Sequence, residues 1–161
     1  MLEWSEVKVV DGVDLRLVAS ASGIRAIEFD PRPVSECQRN DRNPMLFEAA
    51  CQLRAYFAGQ LREFQLPLDI EGTDFQKRVW GKVAAIPYGE TRSYLQISTA
   101  IGSPRAVRAV GAANGANPVP IVVPCHRVIG AHGTLVGYGG GLAMKRRLLE
   151  LEGAMALPLG L

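Results

Sequence analysis

The chain has 161 residues and a hydrophobic content of 48%, which suits one domain or two small domains with a core. It has no apolar run of about 18 residues, so we expect no membrane-spanning helix. Its mixed, acidic start, MLEWSEVKVVDG, is unlike a signal peptide. The cysteines Cys37, Cys51 and Cys125 are widely spaced, which argues against a disulfide framework or zinc site and favours a reducing, cytoplasmic setting.

Charge is distributed unevenly, although the net charge is only +2. Residues 1–72 carry 8 Lys and Arg against 12 Asp and Glu, whereas residues 73–161 carry 10 against 4. A basic second half would suit a polyanionic partner. A chance distribution of surface charge explains the same numbers, so charge alone leaves both interpretations open.

Two strands and a loop are predicted first. Residues 13–20 alternate apolar and polar side chains, and residues 24–29 show a similar strand pattern. The polar, proline-containing segment 30–44 predicts a loop.

A helix is predicted next, with Asn43 as its cap, Pro44 at its first position and Gly59 at its stop. Cys51 lies one position away from the apolar stripe, which predicts a half-buried structural thiol. The stripe has helical spacing and consists of Leu46, Ala49, Ala50, Leu53 and Phe57. An extended connector, residues 64–72, follows, and we expect a domain boundary near its end.

Two further helices are predicted from their capping residues. Thr73 can cap a helix that ends before Pro87, with an apolar stripe of Phe75, Val79 and Val83. Ser93, with Gln96 three residues later, fits a capping box for the next helix, and Gly102 fits its stop.

The following segment, SPRAVRAVGAANGANP, predicts a helix capped by Ser103 with Pro104 in its first turn. With the preceding helix and the tight turn between them, it matches a helix-turn-helix pattern. Arg105 and Arg108 would lie one turn apart on a helix made mostly of Ala and Gly. Such a helix can approach phosphates closely or pack tightly on a neighbouring element, and both can hold on opposite faces.

A glycine-rich loop and a closing helix complete the chain. The glycines of GTLVGYGGGLAM lack the Gly-Lys-Ser/Thr of a phosphate-binding loop, so they predict a loop with backbone freedom near a site. A helix should begin at about Leu142, pack through Leu148, Leu149 and Leu151, and place Glu152 at its end.

The stretch IVVPCHRVIG raises the central question of chemistry. Its β-branched start predicts a buried strand, and Cys125 follows beside His126 and Arg127. Positive charge or a paired base favours a nucleophilic thiolate. Neighbours on an extended segment point to opposite faces, however, so His126 would reach Cys125 only through a turn or a bridging water. From these residues alone, Cys125 is either a reactive thiol or an inert buried one.

The second half contains five distinctive segments, which are, in chain order, GTDFQKRVW, IPYGETRSY, AIGSPRAVRAVGAANGANPVPI, VPCHRVIG and GYGGGLAMKRRLLELEG. Together they resemble the O6-alkylguanine-DNA alkyltransferase family, also called methylated-DNA–protein-cysteine methyltransferases. The resemblance implies a supporting α/β N-terminal domain, residues 1–72, with a small ribonuclease-H-like sheet plus a helix. It also implies a mainly α C-terminal domain, residues 73–161, with a winged helix-turn-helix-like DNA-binding motif and the alkyl acceptor.

The resemblance implies repair of duplex DNA by direct reversal. An alkyl group on O6 of guanine, or less readily on O4 of thymine, would pass irreversibly to Cys125 in a single turnover after base flipping. His126 would act through water as the base, Glu152 would hold the imidazole, and Tyr94 would donate a proton or hydrogen bond to the departing guanine.

The same resemblance assigns the DNA contacts. Arg108 would enter the duplex from the minor groove in place of the flipped base. Further DNA contacts would come from Thr91, Arg92, Ser93 and Arg105. The substrate pocket would be formed by Asn117, Val128, Tyr138 and Gly139. Gly139 makes the pocket wall small, which predicts room for bulkier alkyl groups.

We expect no cofactor, no metal and no membrane contact, and a cytoplasmic monomer whose cooperativity on DNA stays open. The alternative is a non-catalytic relative that binds alkylated bases, which the presence of Cys125 disfavours. A helix-turn-helix regulator would need more base-reading side chains than the thin helix offers. A cysteine hydrolase would need an oxyanion site, for which no motif stands out.

Overall fold

The computed structural model describes residues 1–30 and 36–155, so part of the predicted loop 30–44 lies outside the described residues. The chain divides into two compact units, Met1–Glu71 and Gly72–Leu161. Within the described ranges, every helix is too short or too polar to cross a membrane.

The first unit is built on a four-stranded sheet in the order β3-β2-β1-β4. Strand β1 pairs antiparallel with β2, β2 pairs antiparallel with β3, and the short β4 runs parallel to β1. The strands are β1 (Leu2–Val10), β2 (Val13–Ala19), β3 (Ile24–Glu28) and β4 (Cys37–Arg39). Of the two central strands, β2 was predicted from the sequence and β1 was not.

The β1 pattern is nonetheless readable in the sequence. Ser5, Val7 and Val9 are buried, while Glu6 and Lys8 between them are exposed, which is the alternation of a half-buried strand. The predicted loop 30–44 was wrong at β4, because Cys37, Gln38 and Arg39 pair with the main chain of β1 at its edge.

Helix α1 (Pro44–Phe57) confirms the prediction made from its ends. The side chain of Asn43 accepts hydrogen bonds from the backbone N–H groups of Met45 and Leu46, and Gly59 follows the helix with φ +74°. The helix packs against β1 and β2. Its buried residues are Leu46, Ala49, Leu53, Tyr56 and Phe57, while Ala50 and Cys51 are half-buried.

The predicted extended connector lies along β3. The backbone N–H of Ile24 donates to Pro67 O at 2.8 Å, and the N–H of Asp69 donates to Ile24 O at 2.9 Å. Gly23 allows this close approach, since a Cβ there would lie 2.7 Å from the backbone carbon of Leu68.

The second unit is mainly helical, with one small parallel strand pair, β5 beside β6. Helix α4 packs against both α2 and α3. The elements are α2 (Asp74–Ala84), β5 (Arg92–Ser93), α3 (Tyr94–Ala100), α4 (Val107–Gly115), β6 (Val128–Ile129) and α5 (Leu142–Leu151). The capping box of Ser93 with Gln96 forms as predicted, and the predicted cap Thr73 forms a second capping box with Gln76.

Helix α4 begins later than predicted. Its N-cap is Ala106, whose side chain cannot accept a hydrogen bond, and the segment from Ser103 forms a turn in which Ala106 N–H donates to Ser103 O at 2.9 Å. Arg105 therefore precedes the helix and Arg108 lies in its first turn, so the expectation of two arginines one turn apart on a helix was wrong.

The predicted strand before Cys125 was also wrong. Ile121 and Val123 are buried, as expected for an apolar run, but Ile121 has φ +73° and Val123 N–H donates to Val119 O at 3.0 Å. A left-handed residue breaks an extended segment, so the run forms a tight turn instead of a strand.

Candidate active site

Cys125 begins a short 3-10 turn, Cys125–Arg127, which the chain reaches through the buried Pro124. The N–H of Cys125 donates to Val123 O at 2.8 Å, and the N–H of Arg127 donates to Pro124 O at 2.9 Å. The backbone therefore turns at Cys125, which is one of the two conditions under which the sequence would let His126 act on the thiol. The thiol is buried, and burial raises its pKa to about 11 against the opposing effects of Asn117 and Lys145.

Cys125 faces a cavity of about 490 Å³. Of the four predicted pocket residues, Asn117, Tyr138 and Gly139 line the cavity and Val128 does not. Side chains and backbone from α3, α4, the 3-10 turn and the glycine-rich loop contribute to the walls. The lining residues are Tyr94, Val107, Gly111, Asn114, Gly115, Asn117, Pro120, Cys125, Val136, Gly137, Tyr138 and Gly139.

His126 and Glu152 form a buried pair. Nε2 of His126 lies 2.8 Å from Oε2 of Glu152, and neither side chain is exposed to solvent. Burial lowers the pKa of His126, which favours the neutral imidazole. Nδ1 of His126 is buried and has no hydrogen-bond partner among the described residues, so one ring nitrogen remains available.

Arg127 holds the same carboxylate from the other side. Its Nε donates to Oε1 of Glu152 at 2.8 Å, its Nη2 donates to Oε2 at 3.0 Å, and its Nη1 donates to Ile86 O at 2.6 Å. From the sequence, Arg127 was expected only to be a positive charge near the thiol. Its charge is in fact engaged by Glu152, so the residue orders the His126 pair.

Tyr94 is the first residue of α3, where the Ser93 cap fixes its position. Its hydroxyl donates a long hydrogen bond of 3.4 Å to Val136 O, and its side chain lines the cavity. Burial raises the pKa of Tyr94, so it carries a proton at neutral pH. The structure thus brings Tyr94 and Cys125 to the same cavity.

Lys145 is a site residue that the sequence analysis missed. It lies on the buried face of α5 with no exposed surface, and its Nζ donates to Val136 O at 2.8 Å. The ammonium lies 5.9 Å from the centre of the Tyr94 ring. Burial lowers its pKa to about 8, and its charge favours the Cys125 thiolate. The signal was present, because Lys145, Leu148 and Leu149 share the i, i+3, i+4 spacing of one face.

The predicted DNA-contacting residues differ in their exposure to solvent. Arg105 and Arg108 are exposed, whereas Thr91, Arg92 and Ser93 are half-buried. Arg92 Nη2 lies 3.2 Å from Oε1 of Glu90. The Ser93 hydroxyl accepts from the N–H of Gln96, so it already serves as a helix cap. In the described part of the chain, no cluster of His, Cys, Asp and Glu side chains could hold a metal ion.

Both units match models of one protein family. Residues 74–154 match the 6-O-methylguanine DNA methyltransferase, DNA binding domain, and residues 14–70 match the 6-O-methylguanine DNA methyltransferase, ribonuclease-like domain. The chain belongs to the 6-O-methylguanine DNA methyltransferase family. This membership confirms the predicted family and fold class, a ribonuclease-like α/β domain followed by a DNA-binding domain.

Members of this family include close relatives of the chain. The methylated-DNA–protein-cysteine methyltransferase of Mycobacterium tuberculosis is 62% identical over 115 residues, which are 71% of this chain and 70% of the relative. The constitutive methylated-DNA–protein-cysteine methyltransferase of Bacillus subtilis is 54% identical over 110 residues, 68% of this chain and 67% of the relative.

Solved structures of the family are similar along most of the chain. The crystal structure of Mycobacterium tuberculosis OGT in complex with DNA has a TM-score of 0.84 and 46% identity, and the match covers 94% of this chain and 92% of that one. The O6-methylguanine methyltransferase of the same organism has a TM-score of 0.86 and 45% identity, with 98% and 96% covered.

Proposed function

We propose that this protein repairs DNA by moving an alkyl group from O6 of guanine to Cys125, once per molecule. The observation that carries the proposal is the placement of Cys125 on the wall of a cavity, in the same 3-10 turn as His126, whose imidazole is paired with the buried Glu152. The cavity volume of about 490 Å³ lies within the range of roughly 300–1,000 Å³ that is typical of small-molecule pockets. The names of the relatives support the same reaction.

The electrostatics of the site require a base for this reaction. A thiol with a pKa of about 11 is protonated at neutral pH, so the nucleophile must be generated in place. The neutral His126, with its open Nδ1, can accept the thiol proton through a water molecule. Glu152 then stabilises the imidazolium, and Lys145 stabilises the thiolate.

The transfer step requires a proton donor, because the guanine that departs must gain a proton to become neutral. The thiolate sulfur of Cys125 forms a bond to the alkyl carbon as the bond from that carbon to O6 breaks, and the electron pair passes into the guanine ring. Tyr94, which is protonated and lines the same cavity, donates the proton that makes the product a neutral guanine. The new bond between the Cys125 sulfur and the alkyl carbon is a thioether, which does not break easily, so each protein molecule would react only once.

We further propose that the protein reaches its substrate by base flipping from the minor groove. Extrusion of a base costs a few kcal/mol, which Arg108 would offset by filling the gap in the stack. Arg108 is exposed at the start of the thin helix α4. Thr91, Arg92, Ser93 and Arg105 would contact the DNA backbone. A minor-groove approach suits a protein that must act in any sequence, because that groove carries little sequence information.

The remaining assignments follow from this function. Residues 73–161 would bind DNA and accept the alkyl group, and residues 1–72 would support them. We expect a monomer that acts on chromosomal DNA in the cytoplasm. The non-catalytic alternative is disfavoured by the thiol and by the buried residues arranged around it.

A single experiment tests the proposal. The protein is incubated with duplex DNA containing O6-methylguanine, and the site of methylation is mapped by mass spectrometry. One methyl group per chain on Cys125, absent from Cys125→Ser, is expected. Methylation of Cys37 or Cys51, which lie in the other unit, would refute the assignment. Lesion binding without any transfer would favour the non-catalytic alternative.

A further inference from the structure

The chain makes a tight turn after α2, and this turn lies against the buried ion pair of the site. The backbone N–H of Glu90 donates to Pro87 O at 3.1 Å, which closes a four-residue turn, and Gly89 stands at its third position with φ +83°. A type II turn needs a positive φ at that position, which favours glycine. Residues 86–90 are called the α2 turn below.

The α2 turn contacts both members of the pair formed by Arg127 and Glu152. The carbonyl oxygen of Ile86 accepts a hydrogen bond from Nη1 of Arg127 at 2.6 Å. At Gly89 the backbone comes so close to Glu152 that a Cβ would lie 3.2 Å from the carbonyl oxygen of that residue. The turn is therefore packed against the two residues that order His126.

Tyr88 is the side chain of the α2 turn that adds to this contact. The Cζ atom of Arg127 lies over the Tyr88 ring, 5.7 Å from its centre. This distance is within the limit of about 6 Å at which a guanidinium is attracted to an aromatic face. The hydroxyl of Tyr88 donates a long hydrogen bond of 3.3 Å to the carbonyl oxygen of Leu151, the residue before Glu152. One side chain thus contacts the cation and the backbone beside the carboxylate.

The orientation of the Arg127 guanidinium matters because the group is flat. Its Nε and Nη2 donate to the two carboxylate oxygens of Glu152 at 2.8 and 3.0 Å, and a flat group can make both bonds only when it lies in line with the carboxylate. Only 8% of the Arg127 side chain is exposed, and none of the Glu152 side chain. The orientation of Arg127 therefore decides how much of the Glu152 charge acts on His126.

We propose that Tyr88 is a positioning residue for alkyl transfer, which holds the Arg127 guanidinium against Glu152 and so keeps Glu152 and His126 in the arrangement that accepts the thiol proton. The inference rests on the proposed function, because it concerns the base of that reaction. Tyr88 is not among the residues that line the cavity, so it acts through Arg127 and not by contact with the alkylated base.

The charges around His126 give the direction of the expected effect. Burial lowers the pKa of His126, the Glu152 carboxylate raises it, and the charges of Arg127 and Lys145 lower it. The ring of Tyr138 meets the imidazole edge-on, with 6.5 Å between the ring centres. Loss of the Tyr88 ring would free Arg127 to move and would admit water, and both changes raise the pKa of His126. The imidazole would then become protonated, and useless as a base, at a higher pH.

The pH dependence of methyl transfer tests this role. The single-turnover rate is measured with the protein in excess over O6-methylguanine DNA, for the unmodified protein, Tyr88→Met and Tyr88→Phe. In Tyr88→Met we expect the acid limb of the profile to move up by about one pH unit, which slows transfer about tenfold on that limb and leaves the alkaline rates unchanged. Tyr88→Phe keeps the ring and should follow the profile of the unmodified protein.

Two further variants separate positioning from folding. Phe75→Met is the matched control, because it removes another half-buried ring, in the first turn of α2 and at the far end of that helix from the α2 turn. It should lower the free energy of unfolding without moving the pH profile. Arg127→Lys keeps the charge but replaces the flat guanidinium, so it should move the profile in the same direction as Tyr88→Met.

An NMR titration of the imidazole measures the same change without DNA. The chain has two histidines, so comparison with His132→Ser identifies the signals of His126. The pKa of His126 should rise in Tyr88→Met and in Arg127→Lys, and it should stay unchanged in Tyr88→Phe and Phe75→Met.

Each outcome decides one point. An unmoved profile and an unmoved titration in Tyr88→Met would overturn the proposal, and the same result in Arg127→Lys would overturn it if Tyr88→Met did not fold. An equal shift in Tyr88→Phe would also overturn it, because the hydroxyl and not the ring would then be responsible. If the unmodified protein left Cys125 unmethylated while the titration still moved in Tyr88→Met, the proposed function would fail and the positioning of His126 by Tyr88 would stand.

Discussion

Replacing Arg127 with methionine keeps a long side chain in place but removes the charged guanidinium group, which donates three hydrogen bonds. Two of these bonds go to the buried Glu152, at 2.8 and 3.0 Å, and the third goes to the carbonyl oxygen of Ile86 at 2.6 Å. The change leaves a fully buried carboxylate with His126 as its remaining partner among the contacts described above. Removing one partner of a buried ion pair costs about 3–5 kcal/mol, so the free energy of unfolding should fall by about that amount.

Urea unfolding at pH 7 measures this loss, with Arg92→Met as the matched control. Arg92 lies 3.2 Å from Glu90 at the surface, and such exposed pairs contribute about 0–1 kcal/mol. The double variant Arg127→Met/Glu152→Gln, which removes both charges, should recover part of the stability. A loss below about 1 kcal/mol in Arg127→Met, or no recovery in the double variant, would refute the view that Arg127 compensates the charge of Glu152.

Three further predictions concern the cavity and its charges. Because burial lowers the pKa of His126, the unfolded chain binds a proton at this residue more readily than the folded chain does, so the stability of the fold should decline as the pH falls below about 6.5. Thermal unfolding of the unmodified protein and of His126→Gln measures this, and the decline should be smaller in the variant. Lys145→Met removes a charge that favours the thiolate at neutral pH, so Cys125 should react with iodoacetamide more slowly at pH 7, and an unchanged rate at that pH would count against the pairing. In Gly139→Ser the new side chain meets open space in the cavity wall, so benzyl transfer should slow relative to methyl transfer; an unchanged ratio would exclude a size limit at this position.

Helix starts were predictable because capping is local. Asn43, Thr73 and Ser93 each accept a hydrogen bond from a backbone N–H only two or three residues away, so the relevant partners are visible in a short window. The same reasoning was wrong for Ser103. There the backbone N–H of Ser103 bonds to Ser98 O at 2.9 Å, and the resulting turn delays the helix to Val107.

Burial was predicted better than conformation. The apolar run before Cys125 is buried as expected, yet it forms a turn around Ile121 instead of a strand. A short apolar run has the same hydrophobicity in either conformation, so the pattern could not distinguish them. The backbone hydrogen bond from Val123 to Val119, which only the folded chain shows, decides the conformation.

The sequence by itself determined the family, the α/β and helical halves, and the residue types of the site, because motifs such as Pro-Cys-His-Arg are contiguous. Only the tertiary structure decided how those residues are paired. Glu152, 25 residues after Arg127, meets both Arg127 and His126, while Asn114 lines the cavity from α4 and Lys145 of α5 donates to Val136 O in the cavity wall. Hydrogen bonds and charge interactions depend on distances of a few ångströms in space, and separations along the chain do not fix those distances.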